Sequence, residues 1–196
     1  MELLLVRHAE VASDARGRCY GRLDVPLSEA GHEQARALAE RLSGADVAAV
    51  VSSPQVRARD TAAAIAGPHG LPVTTVDELC ELDFGVLEGL RYDEIAATWP
   101  ALYERWMTRP ATVEFPGGEC LADLRARATA AVAGLRDSYD RLTVVAVTHA
   151  GVVRVVVATA LGISDDRIFS VSVDTASITH IGWSEAGVFV RSLNVR

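Results

Sequence analysis

The stretch Leu3-Leu4-Leu5-Val6-Arg7-His8, near the start of the chain, joins a short apolar run to a guanidinium and an imidazole. An apolar run of this length predicts a buried strand of a parallel sheet. Arg7 and His8 would then lie where the strand ends, at the carboxyl edge of the sheet, where open α/β folds bind their ligands. This pair suits an anion together with a nucleophile or a proton carrier. For an Arg-His pair taken alone, a structural role in a turn is the alternative.

A second stretch repeats this pattern late in the chain. Val144-Val145-Ala146-Val147-Thr148-His149 is again an apolar, β-branched run that ends in a histidine, and a Gly and a helical pattern follow it. Two strands that each end in a His can bring both imidazoles to one point of the sheet edge. The pair of stretches therefore favours a functional site over a structural histidine.

Strand patterns alternate with helical ones, which predicts an α/β fold with a largely parallel sheet. The strands are expected at Glu2–Arg7, Val47–Ser52, Val73–Val76 and Leu142–Thr148, followed by a C-terminal hairpin of Ser177–Trp183 and Val188–Val195. Helix one is predicted to start at the N-cap Ser28, and helix two at Ser53 with Pro54 in the first helical position. The apolar run Val152–Leu161, interrupted by Arg154, predicts a buried helix that is too short to span a bilayer.

Composition limits the classes of protein that this chain can belong to. The 196 residues, 49% of them hydrophobic, suit a single domain covering 1–196. A net charge of −7 without a basic stripe argues against binding to nucleic acid or to an anionic membrane. Cys19, Cys80 and Cys120 are odd in number and widely spaced, so free thiols in a cytoplasmic protein are expected.

Two segments lack a periodic pattern, Glu10–Pro26 and Asp77–Leu90. Long loops within a compact domain are usually functional, so these two are expected to form the walls of a crevice. The segment 91–116, which contains Trp99 and Trp106, predicts one or two short helices that form a lid. Ordinary packing is the alternative role for its aromatic residues.

Several motifs, taken in order along nearly the whole chain, resemble the histidine phosphatase superfamily, which is also called the phosphoglycerate mutase-like family. They are Arg7-His8, Ser52-Ser53-Pro54 with Arg57-Ala58, Glu81-Leu82-Asp83-Phe84-Gly85 with Glu88-Gly89, Pro116-Gly117-Gly118-Glu119, His149, and Ala176-Ser177-Ile178-Thr179. The resemblance implies a three-layer α/β/α sandwich with a mostly parallel central sheet and a small helical lid. It also implies metal-independent hydrolysis of a small phosphomonoester through a phosphohistidine, with no cofactor.

The resemblance assigns a role to each catalytic residue. It makes His8 the nucleophile and Glu81 the proton donor to the leaving group, which requires Glu81 to carry a proton near neutral pH. His149 becomes an electrostatic clamp on the phosphoryl oxygens. Arg7 and Arg57 are the expected phosphate ligands, since Arg grips phosphate with two parallel hydrogen bonds.

Two alternative acids and three further substrate-binding residues complete the predicted site. Asp83 and Glu88 are the alternatives to Glu81 as the acid. The stretch Cys19–Leu27 resembles the corresponding part of alpha-ribazole phosphatases, which implies alpha-ribazole 5'-phosphate as the substrate. Tyr20, Arg22 and Ala150 complete the predicted substrate-binding set, together with Arg7, Arg57 and His149.

The chain departs from the family pattern after its first histidine. Ala9, Val11 and Asp14 stand where the family commonly has Gly, Thr and Asn, and Asp14 would repel a phosphate unless its side chain turns away.

A phosphoglycerate mutase-type transfer and a catalytically silent phosphoester-binding protein remain as alternatives. Leu82, Asp83 and Phe84 after the acid disfavour the mutase, because they supply no cation for a phosphoglycerate. The expected partner is a small phosphorylated substrate, and the sequence leaves open whether two copies form a homodimer.

Overall fold

The apolar run at the start of the chain forms β1 (Glu2–Arg7), a central strand of the sheet in the computed structural model, which describes residues 1–196. The other strands are β2 (Ala49–Ser52), β3 (Val73–Thr75), β4 (Thr143–Thr148), β5 (Ile178–Ser184) and β6 (Gly187–Val195). Their order in the sheet is β3-β2-β4-β1-β5-β6. Strands β1 to β4 run parallel, whereas β5 is antiparallel to β1 and β6 is antiparallel to β5.

Six α-helices surround this sheet. They are α1 (Glu29–Leu42), α2 (Val56–Ala66), α3 (Tyr92–Thr98), α4 (Pro100–Thr108), α5 (Leu121–Ser138) and α6 (Ala150–Leu161). Leu3 and Leu5 of β1 belong to a buried cluster with residues of α5 and α6. Leu4 and Val6, which point to the opposite face, belong to a second cluster with α1 and α2. The sheet is therefore the middle layer of an α/β/α sandwich, and the predicted fold class is confirmed.

The strand predictions hold to within two residues at each end. The largest difference is in β2, which begins at Ala49 rather than Val47. Its ladder with β4 starts at the pair Ala49 and Val144, so the residues before Ala49 have no strand partner in that ladder. The segment 91–116 contains α3, α4 and a 3-10 turn at Pro110–Thr112.

The predicted start of helix two was wrong. Helix α2 begins at Val56, and Gln55 rather than Ser53 precedes its first turn. The side chains of Ser53 and Gln55 contact His149 instead of capping the helix. A carboxylate oxygen of Asp24, from a distant loop, accepts the hydrogen bond of the Val56 N–H at 2.6 Å and takes over part of the capping role.

Three further observations complete the description of the fold. At the start of α1, the Ser28 hydroxyl accepts a hydrogen bond from the Gly31 N–H at 2.9 Å, which confirms the predicted N-cap. The three cysteines are free, as predicted. None of the helices is both long and apolar enough to cross a bilayer.

Candidate active site

The two strand-end histidines lie side by side because β1 and β4 pair in register. Arg7 is opposite Thr148, so the next residue of each strand is a histidine. The His8 N–H donates to the Thr148 carbonyl at 2.9 Å and extends the ladder by one bond. The two imidazole rings are 5.1 Å apart between centroids, and both are buried.

A backbone contact fixes the tautomer of His8. Its Nδ1 lies 2.8 Å from the Ala9 carbonyl oxygen. Because a carbonyl oxygen only accepts hydrogen bonds, Nδ1 carries the proton and Nε2 of the neutral ring keeps a free electron pair. Burial lowers the pKa of His8 well below 6.5, and the positive charges of Arg57 and Arg7 lower it further. His8 is therefore a neutral imidazole with a nucleophilic nitrogen near pH 7.

Arg57 is the largest fully buried side chain of the protein, with 0% of its surface exposed. Its two terminal nitrogens donate to the carbonyls of Gly21 at 2.6 Å and Leu23 at 2.7 Å. The ring of Tyr20 stacks on the guanidinium, with 4.8 Å between the Cζ atom and the ring centroid. Arg57 thus fixes the first predicted loop, whose only helical turn is the 3-10 helix Ser13–Ala15, against the sheet edge.

Two of the cations at the site are not paired directly with a carboxylate. Neither Arg7 nor Arg57 forms a salt bridge. Arg7 donates from Nη1 to the Val173 carbonyl at 2.7 Å, but the Nε atoms of both arginines and Nδ1 of His149 are buried without a hydrogen-bond partner in the protein. Buried polar groups without partners cost free energy, and an anion at this point would supply acceptors for the two arginine Nε–H groups.

His149 is held by two residues that the sequence analysis did not assign to the site. Its Nε2 lies 2.7 Å from Ser53 Oγ and 2.9 Å from Gln55 Oε1, and all three residues are buried. Burial lowers the pKa of His149 well below 6.5, and Arg57 and His8 add to this effect. Ser53 lies in the Ser-Ser-Pro motif but was predicted only as the cap of helix two, and no sequence signal distinguished Gln55 from a surface polar residue.

Glu81 is anchored at the start of α6. One carboxylate oxygen accepts from the Leu82 N–H at 2.8 Å and the other from the Gly151 N–H at 3.1 Å. Any side chain at position 151 would overlap this carboxylate, because a Cβ atom built on Gly151 meets Glu81 Oε1. The two N–H donors therefore fix the position of the Glu81 carboxyl group, which lines the cavity described below.

A cavity of about 470 Å³ opens beside His8. Five residues of the predicted catalytic and substrate-binding set line it, namely Arg7, His8, Tyr20, Glu81 and Ala150, whereas Arg57 and His149 lie behind its wall. Most of the remaining wall is apolar and comes from α4, from the first turn of α5 and from the neighbouring loops. Trp106 packs against Phe84 and Phe115 at 5.1 Å between ring centroids in each pair and also faces the cavity, so these aromatic residues both pack and shape the site.

Several predicted residues lie apart from this cavity. Arg22 donates to Glu119 at 2.8 Å and approaches Asp83 at 3.7 Å, and it does not line the cavity. The carboxylate of Glu88 accepts from the backbone N–H groups of Arg22 and Phe84 and thereby fixes the loops. Neither alternative acid lines the cavity.

Asp14, the departure from the family pattern that would repel a phosphate, is exposed and does not line the cavity. No group of three or more His, Cys, Asp or Glu side chains lies close enough together to share a metal ion.

The fold and the site together define a class of α/β enzymes that act on phosphoryl groups with histidine. The family model described as histidine phosphatase superfamily (branch 1) matches residues 3–196, and the chain belongs to this family. Phosphoserine phosphatase 1 of Hydrogenobacter thermophilus is 35% identical over 195 residues, covering 100% of this chain and 92% of that protein. The protein is a histidine phosphatase-type hydrolase, which confirms the resemblance seen in the sequence.

Solved structures of the family share the whole fold. Bacillus stearothermophilus YhfR matches with a TM-score of 0.95 and 28% identity, covering 100% of this chain and 97% of that one. The alpha-ribazole phosphatase from Shigella flexneri matches with a TM-score of 0.89 and 26% identity, covering 99% of this chain and 96% of that one.

The two buried histidines predict that the folded protein loses stability on acidification. Their pKa values in the folded state lie well below 6.5, so below about pH 6.5 the unfolded chain takes up protons that the folded chain does not. The free energy of unfolding should therefore fall as the pH drops through this range, by up to about 2 kcal/mol per histidine at about pH 5. Urea denaturation at a series of pH values measures this loss.

The double variant His8→Asn/His149→Asn should lose less stability over the same range. His32→Asn, which changes an exposed histidine of α1, should behave like the native chain. An equal loss in the double variant and the native chain would contradict the assignment of neutral, buried imidazoles.

Proposed function

We propose that this protein hydrolyses a small phosphorylated metabolite without a metal ion, by transferring the phosphoryl group first to His8 and then to water. The observation that carries this proposal is the state of His8. Its Nδ1 proton is held by the Ala9 carbonyl, its ring is kept neutral by burial and by two arginines, and its Nε2 is free to attack.

In the first step, Nε2 of His8 attacks the phosphorus atom of the ester. The new P–N bond replaces the P–O bond to the alcohol, whose oxygen leaves with the electron pair of the broken bond. Glu81 donates a proton to this oxygen, so that a neutral alcohol departs. The Ala9 carbonyl accepts the Nδ1–H bond throughout and stabilises the positive charge that develops on the ring.

The second step regenerates the enzyme. The Glu81 carboxylate takes a proton from a water molecule as its oxygen attacks phosphorus. The P–N bond breaks, its electron pair returns to Nε2 of His8, and inorganic phosphate is released. Glu81 ends the cycle protonated, so the proton given in the first step is recovered.

The other charged residues stabilise the phosphoryl oxygens. Arg7 lines the cavity, and a hydrogen bond from its unpartnered Nε–H to a phosphoryl oxygen would strengthen as negative charge builds up in the transition state. Arg57 lies behind the cavity wall and adds positive charge there, and His149 packs beside the His8 ring.

Two relatives point to different substrates. The Cys19–Leu27 stretch and the Shigella structure support alpha-ribazole 5'-phosphate, whereas the Hydrogenobacter relative supports phosphoserine. Arg22 contributes no support to either, because its side chain is paired with Glu119. Tyr20 and the apolar wall of the cavity suit the organic part of a small ester.

The mutase and the silent binder have less support. Leu82 after Glu81 is buried, Phe84 packs among aromatic rings, and Asp83 faces Arg22, so this loop offers no cation to a phosphoglycerate. All five residues that the proposed chemistry needs are present, which argues against a protein that only binds.

Phosphate release in the presence of EDTA tests the proposed reaction. The native protein should release phosphate from an aryl phosphate, and a panel of alpha-ribazole 5'-phosphate, phosphoserine and 3-phosphoglycerate should rank its substrates. His8→Ala should lower kcat by about 10³-fold or more, because the nucleophile is lost. His32→Ala, which changes an exposed histidine, is the matched control and should retain activity. Release that needs an added metal ion, or that survives His8→Ala, would contradict the proposal.

A further prediction tests whether activity depends on the position of the Glu81 carboxyl group. Gly151→Ala places a methyl group against its carboxylate and should lower kcat by about ten- to a hundredfold, because a displacement of about 1 Å has effects of this size. Gly134→Ala is the matched control, since that glycine lies inside α5 with no atom within 4 Å of the added carbon. It should leave kcat unchanged and stabilise the helix by up to about 1 kcal/mol. Equal kcat values for the two variants would remove Glu81 from the mechanism.

A further inference from the structure

Arg154 is a cation in an otherwise apolar part of α6. It is the one charged residue between Ala150 and Leu161, and the valines on both sides of it are fully buried. Burial lowers the pKa of Arg154 from its ordinary value, and the negative charge of Glu81 opposes only part of this effect. An apolar residue would fit this helix at lower cost, so packing alone does not account for the arginine.

The terminal nitrogens of Arg154 are free. Its Nε donates to the Val171 carbonyl at 3.0 Å, and its Cζ atom lies 5.6 Å from the centroid of the Phe169 ring. These contacts fix the plane of the guanidinium, while Nη1 and Nη2 form no hydrogen bond within the protein. Arg154 forms no salt bridge and lines the cavity beside His8. The group is therefore oriented, charged and open to a ligand.

Arg154 lies close to Arg7, which lines the same cavity. Arg7 donates to the Val173 carbonyl and Arg154 to the Val171 carbonyl. These two residues of one segment are separated by at most about 7 Å of chain. Both guanidinium groups line one cavity. A ligand whose phosphoryl group contacts Arg7 can therefore contact Arg154 with a second group, if that group lies a few bonds from the phosphoryl group.

We propose that Arg154 binds a carboxylate of the substrate, and that the protein acts on compact phosphomonoesters with a carboxylate on a short carbon chain. This inference rests on the proposed function in one respect, since it takes the phosphoryl group to lie beside His8 and Arg7. The planar guanidinium matches a carboxylate with two parallel hydrogen bonds. The single positive charge of Arg154 balances the one negative charge of a carboxylate. It does not balance the two negative charges of a second phosphoryl group, so bisphosphorylated substrates are disfavoured.

The other cavity cation, Arg18, has a different role. It donates from Nε to the Asp14 carbonyl and from Nη1 to the Gly89 carbonyl, both at 2.9 Å. These bonds join the two loops that form the walls of the cavity, so Arg18 positions the loops and is less available to a ligand than Arg154.

The test compares two ligands that differ at one group. 3-Phosphoglycerate carries a carboxylate where sn-glycerol 3-phosphate carries a hydroxymethyl group. Calorimetry with the His8→Ala variant measures both dissociation constants without turnover. We expect 3-phosphoglycerate to bind more tightly by about ten- to a hundredfold, which is the range of a charge-assisted hydrogen-bonded pair.

Adding Arg154→Met should abolish this ratio. The matched control is Arg125→Met, which removes a half-buried arginine that pairs with Asp165 and does not line the cavity; it should leave the ratio intact. A general effect on folding would weaken both ligands alike and leave their ratio unchanged. Equal affinity for the two ligands in His8→Ala, or a ratio that survives Arg154→Met, would overturn the inference.

Turnover of the two esters by the native protein separates this inference from the proposed function. Discrimination in binding without any hydrolysis would contradict the proposed function and leave the role of Arg154 standing. Hydrolysis of both esters with equal KM, and with equal dissociation constants in the His8→Ala variant, would support the proposed function and contradict the role of Arg154.

Discussion

The pairing of β1 with β4 is the constraint on which the site depends. Because Arg7 lies opposite Thr148, the residue that follows each strand is a histidine, and the two rings meet at the carboxyl edge of the sheet. A slip of two residues along this ladder would move the two rings apart by nearly 7 Å, although each side chain would still face the same layer. Both faces of the two strands are buried under helices, and the fit of large and small residues in those layers opposes such a slip.

The second physical theme is a pair of cations, Arg7 and Arg57, that form no salt bridge. Arg57 and Arg7 are held by backbone carbonyls of the loops at positions 21 to 23 and at position 173. These bonds connect irregular segments to the sheet edge, so the same arginines that suit an anion also give the loops their positions. The acidic chain as a whole, with a net charge of −7, does not conflict with this arrangement, because the local field depends on the few charges nearest to the site.

The sequence predicted the features that depend on local patterns. Apolar runs marked the strands, Ser28 marked the start of α1, and the two strand-end histidines marked the site. Apart from the meeting of the two histidines, it did not predict contacts between side chains of distant segments, because no local pattern encodes them. Asp24 caps α2 across the fold, and Gln55 turns away from the helix towards His149. Arg22 was predicted to contact substrate, but its nearest charged partners are Glu119 and Asp83, which only the folded chain brings next to it.

The central claim of this account is that His8 accepts the phosphoryl group. The most direct measurement is rapid acid-free quenching of the native protein with a radiolabelled phosphoester, followed by mapping of the labelled peptide. The account predicts a label that is stable in alkali and labile in acid, located on the peptide that contains His8, and absent from His8→Asn. Rapid turnover with no covalent label at any time, or a label on another residue, would contradict it.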